Sequence, residues 1–261
     1  MSLVISSTTN PKVKDIVQLL TKSKERKSRG LCIVEGAREI NRALASNWVP
    51  KELWQLEGSD VPLQSASFPK YYIATPKVFQ KLAYRNTTEC AVAVFAVPAT
   101  GMNEHGDLLE SAKCVLVLEG VEKPGNLGAC LRTACAAGVD AVILADSRVD
   151  PYSPNVIRNS TGALFEIPLI SARSEELLRS FKNTGRKVYV TNLHEDAASM
   201  FHVKWSNKCA IVLGEEANGL SETWNASNFE NVIIPMDGET IDSLNVSVSA
   251  ALLMYHWKSQ Q

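Results

Sequence analysis

The sequence predicts an α/β protein whose C-terminal part is a mostly parallel sheet with helices on both faces. Short apolar segments alternate along the chain with segments that carry apolar residues at helical spacing. Several apolar segments, such as CVLVLEG (114–120), are nearly continuous, as in strands that are covered on both faces. The stretch VPATGMNEHGDLLESAK (97–113) interrupts an apolar run with Pro, Gly and charged residues, which is typical of a linker between two domains.

Residues 1–98 are predicted to form a small α/β domain, followed by a linker over 99–112. Apolar residues at helical spacing in PKVKDIVQLLTKSK and GAREINRALAS predict helices that separate the strands. The predicted strands of this domain are LCIVE (31–35), ELWQL (52–56), YYIA (71–74) and AVAVFAV (91–97).

Residues 113–261 show the stronger alternation and are predicted to form the parallel sheet. Strands that alternate with helices are typical of a doubly wound sheet. The predicted strands are 114–120, 141–145, 164–170, 187–193, 209–214 and 231–236, and the predicted helices are 126–137, 173–182 and 243–257.

Bulk properties narrow the class of protein. The 261 residues are enough to bury a hydrophobic core without metal or disulfide crosslinks. A formal net charge of −1 argues against coating nucleic acid by overall charge, but it allows a local basic patch. The six cysteines form no Cys-x-x-Cys pair and the four histidines show no zinc-ligand spacing, so we expect reduced thiols and no metal. Without a signal peptide or a run of about 20 apolar residues, a cytoplasmic location is expected.

Three polar loops follow apolar strands and predict the functional site. In parallel sheets, ligands bind beyond the carboxyl ends of the strands, where such loops meet. The first loop offers only Gly125-x-x-Gly128 and lacks both the dinucleotide fingerprint and the Walker lysine. A nucleotide-dependent oxidoreductase is therefore disfavoured. The loops are EGVEKPGNLGACLRTA (119–134), GEEANGLSE (214–222) and MDGETIDSLN (236–245).

Several polar residues in these loops have both a structural and a functional interpretation. Asn126 is a plausible cap for a helix over 127–137, and Arg132 is either a paired structural charge or a ligand for phosphate or carboxylate. Ser243 and Asn245 stand at the start of the last helix, where capping accounts for one of them comfortably and for both less well.

In this order and spacing, the loops resemble the SpoU/TrmH family of RNA ribose 2′-O-methyltransferases of the SPOUT class. The matching motifs are GNLGACLRTA, LGEEANGLSE and IPMDGETIDSLNVSVSAALL, and DPYSPNVIRNSTGALFEIPLI (150–170) resembles the family's connecting segment. Residues 1–98 are similar, through GLCIVEGAREINRAL, to the family's ribosomal-protein-like RNA-binding domain. The resemblance implies an S-adenosyl-L-methionine cofactor, a deep trefoil knot in a catalytic domain over 113–261, a homodimer, and ribosomal RNA as substrate more often than transfer RNA.

The resemblance also implies a set of site residues. No histidine or metal ligand set stands in the three loops, and Arg132 stays protonated at ordinary pH. We therefore expect Arg132 to anchor an RNA phosphate and to stabilise negative charge on the 2′-oxygen. The expected catalytic residues are Asn126, Arg132, Glu216, Ser243 and Asn245; the expected cofactor-binding residues are Leu213, Gly214, Glu215, Gly219, Ile234, Met236, Ser243 and Leu244.

The chain departs from the family pattern at two places and keeps it at the polar positions. Glu122-Lys123 stands where relatives usually carry Asp, and Ser243 comes five residues after Gly238 where relatives commonly have four. The alternative, an RNA-binding protein without catalytic activity, predicts damage among the five polar residues, and all five are present.

RNA binding would depend on local basic residues because the overall charge is near zero. The densest cluster is KSKERKSRG (22–30), which is either a solvated loop or a phosphate-binding segment with salt-dependent affinity. Arg85 and Arg148 are further candidates, and Tyr84 is a candidate for stacking on a base. The predicted RNA-binding residues are Lys22, Lys24, Arg26, Lys27, Arg29, Arg38 and Arg158.

Overall fold

The computed structural model describes residues 3–63, 68–84, 89–192, 194, 196–215, 218–225, 229–237 and 243–261. In chain order its elements are β1 Leu3–Ile5, α1 Pro11–Thr21, α2 Ser23–Arg29, β2 Leu31–Glu35, α3 Ala37–Ala45, β3 Pro50–Leu56, β4 Lys70–Ala74, α4 Pro76–Leu82, β5 Ala91–Ala96, α5 Gly106–Ser111, β6 Cys114–Glu119, α6 Pro124–Ala137, β7 Ala141–Ala145, α7 Pro154–Asn159, α8 Ala163–Glu166, β8 Leu169–Ala172, α9 Ser174–Thr184, β9 Lys187–Thr191, β10 Ala198–Ser199, β11 Cys209–Leu213, β12 Glu230–Ile233 and α10 Val246–Lys258.

The chain folds into two compact units. Unit 1 comprises Met1–Pro98 together with Asp150–Glu166, and unit 2 comprises Ala99–Val149 together with Ile167–Gln261. The segment that was predicted as a linker, 99–112, lies in unit 2, and the segment 150–166 lies in unit 1 although it stands in the middle of the predicted catalytic domain.

Unit 1 is built on a mixed sheet in the order β1-β4-β3-β5-β2. β4 pairs in parallel with β1 and β3, and β5 pairs antiparallel with β3 and β2. α1 begins at Pro11 because the Asn10 side chain caps its start and proline suits its first position. It packs on the sheet because apolar residues recur along one of its faces, which is buried. The buried residues of that face are Val13, Ile16, Leu19 and Leu20.

The basic cluster over 22–30 forms a helix rather than a loop. α2 covers Ser23–Arg29, and Gly30 ends it in the left-handed region at φ 60°. A surface helix with its last turn rich in basic residues is favourable, because cations stabilise the carbonyl end of the helix dipole.

The segment 150–166, called the excursion below because the chain returns through it to unit 1, contacts the rest of that unit at several points. The Arg26 guanidinium forms a buried ion pair with Asp150, with Nη2 and Oδ2 2.6 Å apart. The Trp48 indole donates to the carbonyl of Phe165 at 3.3 Å, and the two rings pack edge to face. Arg42 donates to the carbonyl of Thr161. These contacts explain why α7 and α8 belong to unit 1.

Unit 2 confirms the predicted parallel sheet. Among the described residues its order is β10-β12-β9-β11-β6-β7-β8, and every neighbouring pair is parallel. Its core is continuous across the sheet, and the strand order alone does not define a knot, so the trefoil knot stays a prediction. Core residues include Val115, Val117, Ile143, Ile170, Val190, Val212 and Trp224.

The prediction of a strand over 164–170 is wrong in its first half. Ala163–Glu166 form the short helix α8, and β8 begins only at Leu169. Pro168 has no N–H to donate to a ladder, and its carbonyl accepts the first bond from Val142 at 3.0 Å. Sheet pairing therefore starts after the proline.

Arg186 fixes α5 to the sheet of unit 2. It is buried, and its guanidinium donates to the carbonyls of Leu109 at 2.7 Å, Ala112 at 2.8 Å and Cys209 at 3.0 Å. Burial lowers the pKa of the Arg186 guanidinium from its ordinary value. The segment between the two predicted domains is thus anchored at its helix end. No helix in the described ranges has the length and apolar character needed to cross a membrane.

Candidate active site

The loops after β11 and β12 and the start of α10 enclose one cavity in unit 2. Its volume is about 460 Å³, and it opens at the carboxyl edge of the parallel sheet. All eight residues predicted to bind the cofactor line it, so the second and third motifs share this cavity, and their role in cofactor binding stays a prediction. The wall residues are Thr191, Asn192, Leu213, Gly214, Glu215, Asn218, Gly219, Leu220, Val232, Ile233, Ile234, Met236, Ser243, Leu244, Val246 and Ser249.

The loop after β11 is a tight turn that only glycine at position 214 allows. Glu215 N–H donates to the Gly219 carbonyl at 3.0 Å and Gly219 N–H donates back to the Glu215 carbonyl at 2.9 Å. A Cβ on Gly214 would lie 2.2 Å from the Gly219 carbonyl carbon. Gly219 itself has φ +67°. The two glycines are therefore requirements of the loop conformation, because any side chain at 214 would push the turn away from β11.

A buried carboxylate, Glu119, holds this turn against the neighbouring strand. At the end of β6 it accepts from Ser174 Oγ at 2.9 Å, from Ser221 N–H at 2.8 Å and from Ser221 Oγ at 2.6 Å. Trp224 Nε1 donates to Ser174 Oγ at 3.2 Å and completes the network. Glu119 was missed by the sequence analysis. Its only signal was a single acid at the end of an apolar run.

Asn245 links the third motif to the first. Its side-chain oxygen accepts from Ser247 N–H at 2.9 Å and caps α10, while its amide donates to Asn126 Oδ1 at 3.1 Å. The expectation that Asn126 caps a helix is wrong. α6 begins earlier, at Pro124 with Lys123 as N-cap, because proline is well suited to the first helical position. Asn245 therefore serves both as the helix cap and as part of the polar cluster.

Arg132 is exposed on α6 and available for binding. Among the described residues it has no hydrogen-bond or ion-pair partner, so no structural ion pair accounts for it. Glu216, the remaining member of the predicted catalytic set, lies outside the described residues. Ser243 lines the cavity, whereas Asn245 caps α10 two positions later and is hydrogen-bonded to Asn126.

The predicted RNA-binding residues divide into two groups. Lys22, Lys24, Lys27, Arg29, Arg38 and Arg158 are exposed. Arg26 is 5% exposed, paired with Asp150 and hydrogen-bonded to the carbonyls of Leu19 and Leu20. All of its donors face the interior, so this environment does not fit the predicted contact with RNA. Arg148 is exposed near Glu122, and Arg85 lies outside the described residues.

Comparison with known proteins identifies the family. A model described as the SpoU rRNA Methylase family matches residues 113–255, and one described as an MRM3-like substrate binding domain matches residues 10–93. The chain belongs to the SpoU rRNA methylase family. In this SpoU member, the first model spans the three motif loops and the second lies within unit 1.

Several proteins named as RNA methyltransferases are similar to the SpoU chain over nearly its full length. The 23S rRNA (guanosine(2553)-2'-O)-methyltransferase RlmP of Bacillus subtilis is 32% identical over 97% of this chain and 98% of its own length. A crystal structure of an RNA 2'-O ribose methyltransferase matches with TM-score 0.81 and 36% identity, over 99% of both chains. An AdoMet-bound rRNA methyltransferase from Sinorhizobium meliloti matches with TM-score 0.86 and 26% identity, over 98% of this chain and 97% of that one.

Within the described ranges no cluster of three or more His, Cys, Asp or Glu side chains could hold a metal ion. The polar side chains that line the cavity are amides, hydroxyls and the carboxylate of Glu215, and Arg132 is an exposed cation on α6. Such a set can orient a hydroxyl nucleophile and stabilise negative charge, and it can bind a cofactor through the backbone.

Proposed function

We propose that this protein transfers the methyl group of S-adenosylmethionine to a ribose 2′-hydroxyl of ribosomal RNA. The observation that carries the proposal is that the second and third family motifs line one cavity and Asn245 joins the third motif to the first, in a chain that matches an rRNA 2′-O-methyltransferase over nearly its full length. Ribosomal RNA is favoured over transfer RNA because the RlmP match includes the N-terminal unit as well as the methylase region.

The cavity fits the cofactor in size and in the character of its walls. About 460 Å³ lies within the ordinary range of pockets for small ligands. Leu213, Val232, Ile234 and Leu244 supply apolar walls, and the close approach of the Gly219 backbone to Gly214 sets the conformation of the loop beside them. The bound cofactor would supply an electrophilic methyl group. Backbone groups of the loops after β11 and β12 would hold it in place.

Arg132 is assigned the role of activating and positioning the RNA. A 2′-hydroxyl is a very weak acid, and a fixed cation beside it stabilises the oxyanion that develops as the new bond forms. Guanidinium stays protonated, so Arg132 acts by charge and by hydrogen bonds to a phosphate rather than as a base. Ser243 and the Asn126–Asn245 pair would orient the ribose, and the proton would leave to solvent water.

A homodimer is proposed through the exposed face of α10. Val248, Leu252 and Tyr255 recur at spacings of four and three residues, which places them on one helix face. They are 46%, 40% and 49% exposed, although α10 packs its other face against α6. An apolar stripe of this kind on a catalytic unit favours a partner subunit. Light scattering of Leu252→Glu should show a monomer if this face forms the dimer. The location is proposed to be the cytoplasm, where ribosomal RNA is available.

The proposal is tested by binding and by product mapping. Calorimetric titration should show binding of S-adenosylmethionine and none of NADH. Mapping of ribose methylations in total RNA should show one modification that disappears when the gene is deleted and returns with the wild-type gene but not with Arg132→Ala. RNA binding without any cofactor binding would support the non-catalytic alternative instead.

A further inference from the structure

Unit 1 contains a cavity of its own, with a volume of about 440 Å³. All of its walls belong to unit 1, because they come from residues 20–89 and from the excursion 150–166. Four of the residues that line it are apolar, namely Leu20, Ile33, Pro154 and Ile157. Tyr84, Thr161 and five charged side chains complete the lining, so the cavity combines apolar and charged residues.

The carboxylates of this cavity differ in how their oxygens are used. Glu35 accepts from Tyr84 N–H at 3.1 Å, and Glu39 accepts from Arg38 at 2.6 Å. Glu89 is half-buried and has no hydrogen-bond or ion-pair partner in the described part of the chain. Gly36 makes room for it, since a Cβ there would lie 2.8 Å from Glu89 Oε2. An ionised carboxylate accepts N–H donors, and a bound ligand with such donors would satisfy the Glu89 oxygens.

The lining also contains two cations and an aromatic ring. Arg158 is exposed and, within the described residues, has no partner. Arg38 is exposed as well, and the Tyr84 ring is 39% exposed. Proteins that bind single-stranded RNA stack bases on such rings and hold phosphates with such cations. The combination therefore indicates a nucleobase with its attached phosphate.

The unused carboxylate decides which base fits. An ionised carboxylate offers two acceptors side by side and no donor. The Watson–Crick edge of guanine presents two adjacent donors, N1–H and the 2-amino group. The same edge of adenine or cytosine presents one amino group beside a ring acceptor, and uracil presents one N–H between two carbonyls. Guanine alone matches Glu89 with two hydrogen bonds.

We propose that this cavity binds an unpaired guanine of the substrate RNA, with Glu89 on its Watson–Crick edge, Tyr84 stacked on its ring and Arg158 on its phosphate. The proposal rests on the proposed function, because it takes RNA to be the substrate. It adds a sequence-reading site in unit 1, separate from the cofactor cavity of unit 2.

The test compares short oligonucleotides by fluorescence anisotropy. The probes are UUGUU, the same strand with inosine, which lacks the 2-amino group, and the same strand with adenine. Wild-type protein should bind the guanine strand roughly tenfold more tightly than the inosine strand, as expected for a lost hydrogen bond to a charged acceptor. Glu89→Gln should reduce this preference to less than about threefold, because its amide nitrogen cannot accept.

Two controls make the outcome specific. Glu110→Gln changes an exposed acid of unit 2 in the same way and should keep the full preference. Tyr84→Phe should bind guanine like wild type, whereas Tyr84→Leu should lose about five- to 100-fold by loss of stacking. Equal wild-type affinity for guanine and inosine strands, or an unchanged preference in Glu89→Gln, would overturn the proposal. S-adenosylmethionine titration of the same variants keeps the two proposals apart, because it reports only on unit 2.

Discussion

Arg26→Ala should destabilise unit 1 strongly without acting as an RNA-binding mutation. The guanidinium lies 2.6 Å from the Asp150 carboxylate, and the two side chains are 6% and 9% exposed. Its Nη1 also donates to the carbonyls of Leu19 at 2.5 Å and Leu20 at 3.1 Å, which end α1 without helical partners of their own. Removing the arginine leaves the buried Asp150 carboxylate without a counter-charge, with Tyr152 N–H as its remaining donor, and leaves the two carbonyls without their side-chain donor.

The expected magnitude follows from the burial of both partners. Breaking a buried ion pair by removing one partner costs about 3–5 kcal/mol, a large part of the roughly 5–15 kcal/mol that stabilises an ordinary domain. Arg26→Met combined with Asp150→Leu should restore part of this stability, because it removes the unpaired buried charge but still leaves the carbonyls of Leu19 and Leu20 without a side-chain donor. Lys27→Ala, a neighbouring surface change, should stay within about 0.5 kcal/mol of wild type.

Urea unfolding followed by tryptophan fluorescence measures these free energies, and RNA binding at several salt concentrations supplies the contrast. The Arg26→Met and Asp150→Leu double variant should keep the wild-type slope of log affinity against log salt. Lys27→Ala should lower that slope by about 0.7, as expected for one phosphate contact on a single strand. A loss below about 1 kcal/mol in Arg26→Ala would refute the burial argument, and a reduced salt slope in the double variant would refute the structural role.

Three further predictions concern unit 2. Gly214→Ala should abolish measurable S-adenosylmethionine binding in calorimetry, because its Cβ would lie 2.2 Å from the Gly219 backbone, whereas Gly125→Ala, with open space around it, should bind normally and melt no lower than wild type. Asn245→Asp keeps the capping oxygen but loses the amide donor to Asn126, so the rate of methyl transfer should fall about tenfold with stability nearly unchanged. Asn245→Ala loses the cap as well, so thermal unfolding should show a further loss of about 0.5–2 kcal/mol in stability. Burial raises the pKa of the Cys130 thiol from 9.0 to about 12. The stability that the protonated thiol contributes is complete below pH 9 and is lost as the pH rises towards 12. Cys130→Ala should therefore make the fall of the unfolding free energy above pH 9 shallower by about 1.4 kcal/mol per pH unit, measured by urea unfolding.

The strands of unit 2 were predictable because their burial on both faces is written as unbroken apolar runs. AVILA (141–145) is β7 residue for residue. The run LFEIPLI was predicted wrongly, because it is apolar throughout and has no periodicity that distinguishes its helical first part from its strand. α6 starts two residues before, and α10 three residues after, the predicted position for a related reason. Proline and asparagine at the N-termini act through local geometry, which hydrophobic spacing does not record.

The residues of the candidate cavity were predictable from their position in the loops that follow the strands. Residues whose role is set by contacts with distant parts of the chain were not. Gly214 and Ser243 were placed by the strands that precede them, and the cavity contains both. Glu119 and Arg26 could not be assigned, because the partners that define their roles stand 102 and 124 positions away in the chain. A charge that pairs with a residue far away in the chain has no local sequence pattern. Arg26 therefore could not be told apart from the other basic residues of 22–30, nor Glu119 from an ordinary acid at the end of a strand.

The division of the chain also constrains the order of folding during synthesis. Unit 1 ends its first segment at Pro98 but needs Asp150–Glu166 to complete its interior, including the counter-ion of Arg26. At about 5–20 residues per second, a nascent chain holds the first segment for several seconds before the second leaves the ribosome. Until then Arg26 has no buried partner. The N-terminal unit therefore cannot finish folding first, and a fragment cut at residue 98 would be an incomplete domain rather than an independent RNA-binding module.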